Sequence, residues 1–232
     1  MLQKILGLLY PERCIFCNDI CKEGICSKCK EKVHPITEPR CKKCGKPVQY
    51  EEQEFCYDCR NRNFHYEQGR SLWLHEGLVK KSIYGFKYKN RRVYAKVYTR
   101  EMMEQFLELL KIWKIDVIVP VPLHKKRYRK RGYNQAFLLA DEISKITGIQ
   151  TDEELVVRKR DTDPQKEFGN KDRKKNLKGA FEVTKRGIKN RRILIVDDIY
   201  TTGSTIDEIA EILKKAGAGD IFFLTISIGQ GF

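Results

Sequence analysis

Four C-x-x-C pairs, Cys14/Cys17, Cys26/Cys29, Cys41/Cys44 and Cys56/Cys59, occupy the first quarter of this 232-residue chain. A C-x-x-C knuckle turns two thiolates toward one metal ion, and two knuckles complete a tetrahedral Zn²⁺ site. Eight such thiols predict two zinc sites. With four thiolates each, the sites are closed, so the zincs are structural and leave no coordination position for chemistry. A disulfide framework is the competing use of this spacing. It needs an oxidising compartment, and the start MLQKILGLLYPERC lacks the cleavage site and layout of an export signal. That start is read as a short helix packing on the body, with docking on a membrane surface as the second option. A redox pair is less consistent, since no βαβ pattern adjoins. Sequential pairing gives two consecutive zinc ribbons, and cross-braced pairing stays open. Cys21, left over, is expected to be a small buried or loop thiol.

Charge says where the remaining chemistry lies. The formal net charge is +15, from 46 Lys+Arg against 31 Asp+Glu. Zinc binding deprotonates its thiols, and each four-thiolate centre is formally −2. The loaded cysteine module is therefore near neutral. The excess sits further on, in KKSIYGFKYKNRR (80–92), HKKRYRKR (124–131) and residues 158–192, where fourteen Lys+Arg stand against five Asp+Glu. Such a balance attracts polyanions: nucleic acid, anionic lipid or phosphorylated small molecules. No apolar run approaches the roughly 18–20 residues that span a bilayer.

Beyond about Phe64 strands and helices alternate. SLWLHEG (71–77), DVIVPVPL (116–123), LVV (155–157), ILIV (193–196) and GDIFFLTISIG (219–229) read as strands. Helical spacing covers 93–112, 134–148 closed by Gly148, and a segment starting near Gly203 or Ser204, with Ile206, Ile209, Ala210 and Leu213 on one face. The pattern predicts an α/β fold, a mainly parallel sheet with helices on both faces. The expected division is a zinc module over 1–63 and an α/β domain over 64–232.

The stretch ILIVDDIYTTGST (193–205) concentrates the functional signal. A buried strand delivers Asp197 and Asp198 to its carboxyl end, where ligands of parallel sheets sit. Thr201, Thr202, Ser204 and Thr205 add hydroxyls, Gly203 lets backbone approach an anion, and the following helix offers unpaired N–H groups. Phosphate fits the turn. Sugar hydroxyls, or Mg²⁺ held through water, fit the carboxylates. The plainer reading is that Ser204 or Thr202 merely caps the helix.

VDDIYTTGST resembles the phosphoribosyl-diphosphate motif of type I phosphoribosyltransferases. With VPVPLHKKRYRKRGYNQA and the paired ribbons, the resemblance narrows to the ComF family of competence proteins. It implies a cytoplasmic protein, with peripheral placement at the inner membrane face as the alternative, handling incoming single-stranded DNA in natural transformation. It also implies ribose contacts from Asp197 and Asp198, 5-phosphate contacts from Thr201 through Thr205, and a pyrophosphate loop over Pro120, Val121, Pro122, Lys125 and Lys126. Mg²⁺ would accompany phosphoribosyl diphosphate. The segment 158–181 resembles the loop such enzymes fold over substrate, with Gln165, Arg173 and Asn176 at recurring positions. Lys87, Lys89, Arg127, Arg129, Arg131 and Arg173 are the candidate DNA contacts, interleaved with Tyr84, Phe86, Tyr88, Tyr128, Tyr133 and Phe168 for stacking on bases. Core packing is the expectation for Phe86. An active phosphoribosyltransferase on an unknown acceptor is one alternative function. A ribbon scaffold docking a competence helicase or DNA translocase is another.

Overall fold

The structure, a computed structural model, describes residues 12–161, 177–184 and 187–229. The amino-terminal segment 1–11 and Gln165, Phe168, Arg173, Lys174, Lys175 and Asn176 lie outside the described residues.

Each cysteine knuckle leads into a minimal scaffold. Ser27–Lys30 (α1) and Tyr57–Asn61 (α2) are single helical turns, capped by Cys26 and Cys56. The sheet then forms from Gln68–Leu74 (β1), with Gly77–Tyr88 (α3) and Tyr94–Trp113 (α4) following. Val117–Pro120 (β2), Lys125–Arg131 (α5) and Gln135–Thr147 (α6) come next. Val156–Arg158 (β3) and Phe181–Val183 (β4) precede Ile193–Tyr200 (β5), Ser204–Lys215 (α7) and Ile221–Ile228 (β6). Sequence and geometry agree at the helix ends. Asn134 accepts from the Ala136 N–H at 3.1 Å, and Gly148 closes α6 at φ 75°.

The principal sheet runs β1-β6-β5-β2, all parallel. Its central strands are buried on both faces, which is why ILIV and IFFLTISI read as unbroken apolar runs. Successive side chains point to opposite faces and feed two cores. Leu194 and Val196 join Ile83, Phe86, Met102, Phe106 and Leu139 on one side. Ile193 and Ile195 join Ile206, Ile209, Ala210 and Leu213 on the other. The cysteine module extends both. Cys14, Ile15, Ile25 and Cys29 belong to the first core, and Ile36, Cys41, Cys44 and Cys56 to the second. Ile36 N–H donates to Leu72 O (2.9 Å) and Gly69 N–H to Lys43 O (2.7 Å). Backbone of the second ribbon thus covers the otherwise open edge of β1, removing a template for unwanted pairing.

Three expectations change. The first strand begins at Gln68 and ends at Leu74. LVV belongs to no parallel sheet: β3 pairs antiparallel with β4, through Val157 and Glu182. The basic clusters 80–92 and 124–131, for which the sequence predicts no element, lie largely in α3 and α5. Finally, β5 does not stop at Val196. It continues through the aspartates to Tyr200, because β6 is eight residues long and pairs Asp197 with Thr225 and Ile199 with Ser227.

Candidate functional site

The cysteines settle into two cages. Sγ atoms of Cys14, Cys17, Cys26 and Cys29 lie within 4.8 Å of one another, as do those of Cys41, Cys44, Cys56 and Cys59. Cys17–Cys26 and Cys44–Cys56 are 3.6 Å apart, and all are free thiols. A tetrahedron with Zn–S of about 2.3 Å has edges of about 3.8 Å, so both cages fit the ion. The grouping is sequential, which disposes of cross-bracing, and Cys21 stands outside both as a partly buried thiol. Lys46, buried, pairs with Asp58 at 2.9 Å beside the second cage.

The other site follows from topology. From β2 the chain moves outward, where Thr151 bridges Ile118 in parallel; from β5 it moves the opposite way, through α7 to β6. The carboxyl ends of β2 and β5 therefore flank a switch point, the place where parallel sheets hold ligands. Pro120 is the last β2 residue in register, opposite Val196. Asp197 and Asp198 consequently lie one step beyond β2 yet remain paired to β6. That half-free edge aims carboxylates at the crevice while the other edge keeps the strand rigid.

Asp198 is buried, and its Oδ2 accepts from Lys87 Nζ at 2.8 Å. Asp197 Oδ1 accepts from the Asp198 N–H at 2.8 Å. Burial, then the neighbouring Asp198 charge, pushes the Asp197 carboxyl up to about 8. Arg158 faces Asp197 electrostatically. His75, at the end of β1, bonds through Nδ1 to Ser227 Oγ at 2.9 Å, and burial followed by Lys87 holds it below the usual histidine range. One ammonium therefore already serves the acidic pair from α3.

The turn after β5 has an unusual geometry with a clear cause. Gly203 is left-handed (φ 76°) and caps α7 with no side-chain hydrogen bond to the helix. A Cβ there would stand 2.3 Å from Tyr200 Oη, so glycine is required by the tyrosine as well as by φ. Neither Ser204 nor Thr202 caps the helix; their hydroxyls bond each other at 2.9 Å. The first-turn N–H groups of α7 thus keep their donor capacity. Thr201 is exposed, Thr202 and Thr205 half-buried, Ser204 buried.

Across the crevice, Val121 N–H donates to Val196 O (2.9 Å) and Asn134 Nδ2 to Val121 O (3.0 Å), fixing the start of the expected 120–126 loop, of which only 121–124 is loop, since Pro120 ends β2 and Lys125 and Lys126 open α5. Val121 and Pro122 are buried; Lys125 and Lys126 are exposed in the first turn of α5, which His124 caps. The basic candidates divide. Lys87 sits on Asp198 and Arg127 on Asp161 at 3.2 Å, while Arg131 lies 5.1 Å over the Tyr88 ring. Lys89 and Arg129 are exposed. Tyr84, Tyr88 and Tyr128 are exposed, whereas Phe86 is core, as expected. Tyr133 is also buried, its hydroxyl bonded to Phe86 O, which removes it from the stacking set. Sequence reasoning missed His75, the Lys87–Asp198 pair and Arg62, whose Nη1 donates to Thr202 O at 3.1 Å.

Comparison with known proteins matches both parts. Residues 5–60 match the double zinc ribbon domain and residues 99–226 the phosphoribosyl transferase domain. Competence protein F of Haemophilus influenzae is 32% identical over 217 residues, covering 90% of this chain and 93% of that protein. DNA utilization protein YhgH of Escherichia coli K12 is 31% identical, over 85% of this chain and 87% of its own length. Competence protein ComFC of Bacillus subtilis is 26% identical, over 88% and 84%. Among solved structures, purine phosphoribosyltransferase from Pyrococcus horikoshii aligns at 21% identity with TM-score 0.38, covering 56% of this chain and 74% of that one. No helix among the described residues is long and apolar enough to cross a membrane.

Proposed function

This chain belongs to the family of double-zinc-ribbon competence and DNA-utilization proteins with a phosphoribosyl transferase domain, and from that premise we propose that it handles single-stranded DNA during uptake through a ribose-phosphate site on the sheet rim. The observation carrying the proposal is the acidic pair of β5 leading directly into an uncapped helix start at the switch point. Asp197 and Asp198 would accept from ribose hydroxyls or hold Mg²⁺ through water. The turn 201–205 would take the 5-phosphate, and the loop 120–126 a pyrophosphate. A DNA strand would follow the exposed cations of α5 and the end of α3, with Tyr84, Tyr88 and Tyr128 as stacking platforms.

The test is single-strand binding as a function of salt. Replacing Lys125, Lys126 and Arg129 together by Ser should weaken binding and lower the slope of log K against log salt by about 2. Salt-insensitive binding, or none, contradicts the proposal. A second reading, phosphoribosyl transfer to an acceptor, is favoured by the meeting of acidic pair, phosphate turn and 120–126 loop at one rim. In this chemistry positioned electrostatics carry the oxocarbenium-like transition state. Pyrophosphate release from phosphoribosyl diphosphate in the presence of candidate acceptors tests it. A helicase or translocase partner belongs to a third reading, for which no geometric feature among the described residues speaks.

A further inference from the structure

The chain that leaves the second cysteine cage runs straight beneath the phosphate turn. Cys56 caps α2 and Cys59 lies within it, so two sulfur ligands are fixed in one helical turn whose carboxyl-terminal cap is Arg62. Arg62 Nη1 donates to the carbonyl of Thr202, and its guanidinium lies over the Phe64 ring, 4.7 Å from the centroid. Phe64 stacks on Tyr66 at 5.1 Å and reaches within 3.1 Å of the space beside Gly203. His65 donates its backbone N–H to Asp207 Oδ1 at 2.8 Å, in the first turn of α7. Tyr66 Oη meets Tyr200 Oη at 2.7 Å with both rings buried, and Lys43, inside the Cys41/Cys44 knuckle, stands 5.5 Å over the Tyr66 ring. Between Arg62 and Tyr66 the chain therefore holds the strand end, the turn and the helix start of one cradle.

We propose that Arg62 is a positioning residue of the ribose-phosphate site, through which the second zinc ribbon sets the affinity of the turn for phosphate. The inference rests on the ribose-phosphate reading above. A charge-assisted bond to the Thr202 carbonyl orients the peptide that leads into Gly203. With α7 uncapped, that orientation decides whether the amides of residues 203–205 converge on one anion. Ordering α2 around zinc fixes Arg62, and an anion on the turn favours the same arrangement. Linkage then requires that phosphate and zinc strengthen each other's binding.

The experiment titrates ribose 5-phosphate into the zinc-loaded full chain by calorimetry. Arg62→Ala should bind about tenfold more weakly, with the dependence of affinity on salt concentration unchanged from wild type. A salt dependence that falls together with the affinity assigns Arg62 to direct charge on the phosphate and overturns the positioning role. Unchanged affinity in Arg62→Ala overturns it as well. Zinc content near two per chain in the variant shows that the loss is not one of folding. In the reciprocal arm, saturating ribose 5-phosphate should raise the chelator concentration needed to strip the second zinc from wild type, and should do so no longer in Arg62→Ala. A chelator midpoint indifferent to ribose 5-phosphate in wild type overturns the coupling. Failure of wild type to bind ribose 5-phosphate at all overturns the underlying reading, and the inference with it.

Discussion

Replacing Gly203 by alanine tests how the turn after β5 is built. Gly203 has φ 76°, where a side chain costs about 1–2 kcal/mol. The new Cβ would stand 2.3 Å from Tyr200 Oη and 2.8 Å from its Cζ. The ring has nowhere to retreat: it stacks on Phe223 at 4.8 Å and 5°, and its hydroxyl is bound to Tyr66. Forcing an extra carbon into such packing costs about 1–3 kcal/mol, and losing the tyrosine hydrogen bond about 1 more. The expected loss is therefore about 3–6 kcal/mol, a large share of the roughly 5–15 available to a folded protein. Urea unfolding of the zinc-loaded chain measures it, with ribose 5-phosphate titration alongside. A drop below about 1 kcal/mol with unchanged phosphate binding would refute the claim that Tyr66 and Tyr200 anchor the turn.

Further outcomes follow from the same rim. Lys87→Met leaves the buried Asp198 carboxylate without its ammonium, and thermal unfolding at pH 8 should show a loss of about 2–3 kcal/mol. Asp197 titrates near 8 in the folded chain against 3.8 for a free side chain, so the native state keeps a proton that the unfolded chain releases. Stability should accordingly fall as pH rises from about 4 to about 8, on the order of a few kcal/mol, and Asp197→Asn should flatten that slope in pH-dependent denaturation. Metal analysis should find two zincs per chain, and chelation should abolish the near-ultraviolet signal of Trp73, because Ile15 and Phe16 of the first ribbon pack into its core.

Several features were legible because the local signal and the global environment coincide. Strands buried on both faces must be apolar throughout, so β5 and β6 announce themselves, and Asn134 and Gly148 mark the ends of α6 by their own backbone preferences. The cages were legible because knuckle spacing is a local property. Helices α3 and α5 were not. In α3, Val79, Ile83 and Phe86 are diluted by lysines, and α5 buries no residue at all, so no apolar period survives. The extension of β5 through Asp197 to Tyr200 is imposed by β6, a partner more than twenty residues away. Lys87–Asp198 and Arg62–Thr202 join residues more than a hundred positions apart, and no local pattern encodes them. The reason for Gly203 changed too. Its want of a side chain serves Tyr200 directly, and any anion only through the shape of the turn.

The central claim is that the end of β5 and the start of α7 form one ribose-phosphate site. Calorimetric titration of the zinc-loaded chain with phosphoribosyl diphosphate and Mg²⁺ tests it most directly. The account predicts one saturable site per chain, with affinity rising from pH 6.5 to 8.5 as Asp197 gives up its proton, and no binding after Asp197→Ala with Asp198→Ala. A wild-type chain that holds two zincs and takes up no phosphoribosyl diphosphate at any of these pH values would contradict it.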